Sequence, residues 1–262
     1  MRNTRTLGRL MIGGLVWLVA TACVEETPAI FIVQNNALGD QCEVTNTAAA
    51  GVQGSGTMDL TVARSYRMNL FVENLMNESG ANSLGTATGG AYEGNRVTFT
   101  NAVVSVIGPP NLVTQLPENQ QIPISGTLEP GGSAVVQLDV IGATLGQQLS
   151  AEIPFRGTVV PLRAQVQFTG LTTSGTEVFS NVFNYPLDVC RGCLLEFPPE
   201  SVSEADPLPN CLATPEDSTD LPSDCAAGQD SELDCRVCRN ILESTGANPL
   251  EVDAQCEPAP GL

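Results

Sequence analysis

Val160-Pro-Leu-Arg-Ala-Gln-Val-Gln-Phe168 places Val160, Leu162, Ala164, Val166 and Phe168 at every second position. Side chains of a strand point alternately to opposite faces, so this period of two predicts a strand with one face in a core. Thr173-Ser174-Gly175 supplies turn chemistry directly after it. Phe179, Phe183, Tyr185, Leu187 and Val189 then share one parity, which predicts a returning antiparallel strand with the same buried face.

The pattern repeats on the N-terminal side. Tyr66, Met68, Leu70 and Val72 alternate, and Val97 and Phe99 alternate before a β-branched run through Val103, Val104 and Val106 that Pro109-Pro110 ends. Ser133 to Ile141 follows the turn Pro130-Gly131-Gly132, and shorter strands are expected near Ile30–Val33, Leu60–Val62 and Ile122–Ile124. About eight strands with Gly and Pro in the connections, and only Ala143–Leu149 as a short helix between them, predict a mainly β, antiparallel β-sandwich. The stretch Tyr66-Arg-Met-Asn-Leu-Phe-Val-Glu-Asn74 resembles the alternating strand ending in asparagine of immunoglobulin-like and LEA-type sandwiches, and that resemblance implies the fold and no activity.

The composition removes whole classes of chemistry. All 11 basic residues are arginine, against 29 acids, and there is no histidine. A histidine base, a Ser-His-Asp triad, an imidazole metal ligand, a lysine Schiff base and a lysine-bearing phosphate loop are therefore excluded. The formal charge of −18 argues against a nucleic-acid partner, because phosphate binding needs clustered cations. The glycine-rich Gly51–Gly56 stretch reads as a loop, and Asn77-Glu78-Ser79 as a surface turn. No pair of carboxylates carries a glycosidase-like motif. Trp17 is the only tryptophan, which leaves a sugar little to stack on.

The first residues read as an export signal. Arg2, Arg5 and Arg9 precede an apolar run from Leu10 to Ala20, and small residues then lead to Cys23. The run is too short to span a bilayer, which takes about 20 apolar residues. Val19-Ala20-Thr21-Ala22-Cys23 resembles the lipobox of bacterial lipoproteins, with Ala20 where the family usually has leucine. The resemblance implies that Cys23 is acylated and becomes the new N-terminus, anchoring the chain to a membrane; Val24, in place of a retention aspartate, points to the outer membrane. The segments are then a signal peptide (1–22), a lipidated tether (23–28), a β-sandwich body (29–189) and an acidic tail (190–262).

Cysteine arithmetic supports an oxidising compartment. Nine cysteines less Cys23 leave eight: Cys42, and seven in the tail at Cys190, Cys193, Cys211, Cys225, Cys235, Cys238 and Cys256. If all eight pair, Cys42 bonds to a tail cysteine, because seven is odd. The tail carries 15 acids and 3 arginines, and it needs such staples to hold any core. Asp230 or Ser231 is expected to cap a helix with Leu233, Val237 and Ile241 on one face and Gly246 at its end, and Asn248-Pro249-Leu250-Glu251 starts another.

The two CxxC pairs, Cys190/Cys193 and Cys235/Cys238, are read as structural disulfides. A redox pair and a four-thiolate zinc site are the alternatives; the first wants a helix N-terminus and the second a closer spacing. Asp217, Asp220, Asp224, Asp230 and Asp234 could offer oxygens to calcium, although no D-x-D-x-D-G loop is present. No cofactor motif and no catalytic constellation is found. The expectation is an uncharacterised cysteine-rich type of envelope lipoprotein with a structural or binding role toward another envelope protein or a cationic surface ligand. An extracytoplasmic thiol-disulfide oxidoreductase and a calcium-stabilised adhesion module are the alternatives.

Overall fold

The computed structural model describes residues 28–39, 41–76, 95–198, 211 and 225–256. It is a mainly β sandwich with a small disulfide-stapled, partly helical C-terminal tail. One sheet holds β1 (Ile30–Asn35), β3 (Tyr66–Asn74) and β7 (Ser133–Ile141) in the order β1-β3-β7. The facing sheet runs β2 (Gly56–Asp59), β10 (Phe183–Cys190), β8 (Val160–Thr172), β4 (Val97–Ile107) and β5 (Gln120–Pro123). Two short strands lie off this path, β6 (Thr127–Leu128) on β4 and β9 (Glu177–Phe179) on β8. All pairings in the two sheets are antiparallel except β2 with β10, which is parallel. That connection is possible because more than a hundred residues, including most of both sheets, separate the two strands.

Alternation translates into burial. Leu162, Ala164, Val166 and Phe168 on β8 meet Met68, Leu70 and Val72 on β3 in one core. Phe168 is fully buried, with the Phe99 ring edge-on at 5.5 Å, a pairing that contributes about 0.5–1.5 kcal/mol beyond burial. The break in the β4 pattern has a cause: the β4–β8 register shifts between Phe99 and Asn101. This bulge sends Val97 and Phe99, then Ala102, Val104 and Val106, to the same core. The short helix α1 (Ala143–Glu152) runs past its expected end at Leu149 and buries Leu149 beside β2. Gly146 is required there, since a Cβ would collide with the Arg64 carbonyl.

Three local expectations are corrected. Leu60–Val62 is a turn, and the strand lies earlier, at Gly56–Asp59. The Asp59 carboxylate accepts the Thr61 N–H at 2.9 Å and Ala63 N–H reaches the Asp59 carbonyl, so the chain closes on itself instead of extending. Phe179 does not share the buried face of β10 and is 48 % exposed. Phe179 faces Thr169 while Phe183 faces Val166, so one extra residue lies between the two pairings and inverts the parity. In the tail, α2 (Cys235–Ser244) is capped by Asp234, whose side chain accepts the Arg236 N–H, and not by Asp230 or Ser231. Leu233 of the expected face is buried but stands before the helix; within α2 the buried residues include Cys235, Cys238 and Leu242, while Val237 and Ile241 are half-buried.

Gly246, at φ +80°, ends α2, and Asn248 caps α3 (Pro249–Cys256) through the Leu250 N–H. With the two-residue strands β11 (Leu195–Glu196) and β12 (Leu233–Asp234), these helices enclose a second small core of Leu233, Cys238, Leu242, Val252 and Cys256. No helix among the described residues is long and apolar enough to cross a membrane.

Candidate functional site

All eight cysteines from Cys42 to Cys256 are disulfide-bonded, as Cys42–Cys225, Cys190–Cys193, Cys211–Cys235 and Cys238–Cys256. Such a set is what an oxidising, extracytoplasmic compartment permits. Cys235 and Cys238, although spaced as CxxC, pair with other partners, so the structure does not gather the two CxxC motifs into one four-thiolate site. Cys23 and the 1–22 segment lie outside the described residues, as do Asn77-Glu78-Ser79, Asp217, Asp220 and Asp224.

The Cys42–Cys225 bond borders a polar cleft of about 740 Å³ between the three-stranded sheet and the tail. Asn35, Asn69 and Gln137, from β1, β3 and β7, line it on the sheet side, and Gln229 and Asp230 line it on the tail side. The amides are tied together: Gln137 Nε2 donates to Asn69 Oδ1 at 3.0 Å, and Asn69 N donates to Asn35 Oδ1 at 2.7 Å. The tail side is fixed by the sheet it covers. Asp59 N donates to the Gly228 carbonyl, Asp230 N to the Thr57 carbonyl, and Arg67 N to Gln229 Oε1. Residues 228–230 thereby satisfy the outer edge of β2, which would otherwise be unpaired.

Behind the cleft a polar chain enters the core. Asp230 Oδ2 accepts the Tyr66 hydroxyl at 2.8 Å, Tyr66 and Tyr185 share a hydrogen bond at 3.0 Å, and Tyr185 is bonded in turn to Asn35. Asp230 Oδ1 accepts the Thr57 N–H at 2.7 Å. Burial pushes the Asp230 carboxyl above its ordinary range, against the pull of the Thr57 and Tyr66 hydrogen bonds. Burial also raises both phenols, Tyr66 strongly and Tyr185 to about 12, with the nearby Asp230 charge adding to each. An unfolded tyrosine ionises near 10. Between about pH 10 and 12 the folded chain therefore holds protons that the unfolded chain has lost, and stability falls as pH rises. We expect alkaline unfolding to begin near pH 10, with tyrosinate absorbance from Tyr66 and Tyr185 rising together with the loss of circular dichroism. Titration of all three tyrosines of the chain below about pH 10.5, in protein that stays folded, would contradict this.

A second constellation surrounds Cys190-Arg-Gly-Cys193. Asp59, fully buried at the end of β2, accepts the Gly192 N–H at 2.7 Å with Oδ1 and the Leu194 N–H at 3.0 Å with Oδ2. Arg156 N donates to the Arg191 carbonyl at 2.7 Å, and its guanidinium lies over the rings of Phe155 and Phe197. A carboxylate oxygen of Asp59 and the sulfurs of Cys190 and Cys193 lie within 4.8 Å of one another. Closed as a disulfide, those sulfurs carry no thiolate charge to offer a cation. Of the acids considered for calcium, Asp230 is committed to Tyr66 and Thr57, and Asp234 to Arg236. Tyr66 and Tyr185 stood in the sequence only as core positions; their partnership needs two strands 119 residues apart in the chain. Asp59 was not singled out in the sequence, because the Gly192 and Leu194 N–H groups it holds lie more than 130 residues away.

Compared with protein-family models and with curated protein sequences, the chain matches none.

Proposed function

We propose that the chain is a lipid-anchored envelope protein of a bacterium, acylated at Cys23, whose folded part serves a binding role outside the cytoplasm, at the outer membrane. The observation that carries this reading is the cysteine inventory. The other eight cysteines pair with one another, and the ninth, Cys23, is the one at the end of a lipobox-like sequence. Two or three acyl chains on that residue give stable attachment where one would be marginal. The cleft supports the binding role: Asn35, Asn69, Gln137 and Gln229 bring side-chain amides to its walls. Removal of 22 residues leaves 8 arginines and 29 acids, a charge of −21, which favours a cationic or polar partner on an envelope protein or surface.

Intact mass of protein extracted from native membranes tests the proposal. The expected mass is that of residues 23–262 with two or three acyl chains and four disulfides, and Cys23→Ser leaves the protein uncleaved or unacylated and shifts it out of the detergent phase. An unmodified Cys23 at the mature N-terminus, with the protein in the aqueous phase, would overturn the anchor.

A further inference from the structure

We propose that Cys190–Cys193 is an exchangeable, redox-active disulfide, with Cys193 the sulfur that an external thiolate attacks and Asp59 the group that holds the loop in both redox states. The first observation is what the bond joins. The other three disulfides span 183, 24 and 18 residues and tie separate segments together; Cys190–Cys193 spans 3. A loop so short restricts the unfolded chain least of the four, so its staple adds the least to stability.

The second observation is that the loop is held without the bond. Both oxygens of the buried Asp59 carboxylate accept its backbone N–H groups, Arg191 offers its carbonyl to Arg156 N, and β10 and β11 pin the two ends. Breaking the S–S bond leaves this frame in place, so the two sulfurs stay opposite each other and reclosure is unimolecular. Cys42 of the Cys42–Cys225 bond is exposed as well, but that bond joins segments 183 residues apart, so its two sulfurs are not held within one short loop when it opens.

Access supplies the direction. Cys190 is 2 % exposed at the end of β10, and Cys193 is an exposed residue. A thiolate of a small thiol or a partner protein reaches Cys193 Sγ, forms a mixed disulfide there, and displaces Cys190 Sγ with the electron pair of the broken bond. Cys190 takes up a proton and, as a thiol, donates to the Met58 carbonyl 3.6 Å away. On return it gives that proton to solvent and attacks Cys193. That step expels the first thiol. A second partner thiol attacking the mixed disulfide instead completes the other outcome, in which the partner leaves oxidised and the pair stays reduced. This inference stands apart from the lipid anchor and survives its failure.

The test is a reduction time course on the full chain with glutathione and dithiothreitol, quenched by alkylation and read by peptide mass. Cys190 and Cys193 are expected to appear as free thiols at least about tenfold faster than the other six, while circular dichroism stays native. Treated with oxidised glutathione in the absence of dithiothreitol, Cys190→Ser is expected to form a mixed disulfide at Cys193 with release of one reduced glutathione, and Cys193→Ser to leave Cys190 unmodified. Reduction of Cys190–Cys193 only together with unfolding, or after Cys42–Cys225, would overturn the proposal. So would equal capture of glutathione at Cys190 in Cys193→Ser. The wild-type time course decides the matter if either variant fails to fold.

Discussion

Replacing Cys42 and Cys225 together by serine is expected to lower the unfolding free energy by about 3–5 kcal/mol, the largest loss among the four disulfides. The bond joins positions 183 apart, and chain entropy for a loop of that size gives about 5 kcal/mol, against about 2 kcal/mol for the four-residue Cys190–Cys193 loop. The staple also secures the tail to the sandwich beside the polar cleft, so its removal should expose the edge of β2 that residues 228–230 cover. Equilibrium denaturation of the double variant, with the other six cysteines still oxidised, measures the effect. A loss below 1 kcal/mol would mean that the hydrogen bonds from Gly228, Gln229 and Asp230 hold the tail by themselves.

Asp59→Ala is the second large effect, expected at about 4 kcal/mol. The substitution leaves the buried Thr61 N–H and the half-buried Gly192 and Leu194 N–H groups without their acceptor, and a buried donor left unpaired costs about 1–3 kcal/mol. Asp59→Asn separates geometry from charge. It keeps one carbonyl oxygen for Gly192 and Thr61 but turns an NH₂ toward Leu194, so about half the loss should return. Thermal unfolding of the two variants against wild type reads this order. Equal stability of all three would show that the loop does not depend on the carboxylate.

The body was legible in the sequence because a strand of a sandwich writes its burial in a period of two. Val160 to Phe168 and Tyr66 to Val72 needed nothing else. The reading failed where one inserted residue inverts the period: at Phe179, whose parity is broken before Phe183, no propensity marks the bulge. It failed again at Leu60–Val62, where a β-prone Leu-Thr-Val triplet is folded over by the carboxylate just before it. Cysteine parity reached further than periodicity, since it tied Cys42 to the tail without naming Cys225, and the structure gives the partner. The helix cap was misplaced because Asp230 looked like a free polar residue, and its side chain is consumed by Tyr66 and Thr57. Both constellations at the seam share that property. Each rests on hydrogen bonds that join residues more than a hundred positions apart, Tyr66 to Asp230 and Asp59 to Leu194, a relation that no local pattern encodes.

The order in which the cysteines are paired has a consequence for how the molecule is made. A chain synthesised from its N-terminus presents Cys42 first among these eight, and its partner Cys225 only after Cys190, Cys193 and Cys211 have passed. An oxidant that joined sulfurs in order of arrival would link Cys42 to Cys190 and Cys193 to Cys211, a map with neither native bond. The correct map is thus reached by waiting or by repair, and a catalyst that reshuffles mispaired sulfurs becomes a maturation factor for this protein.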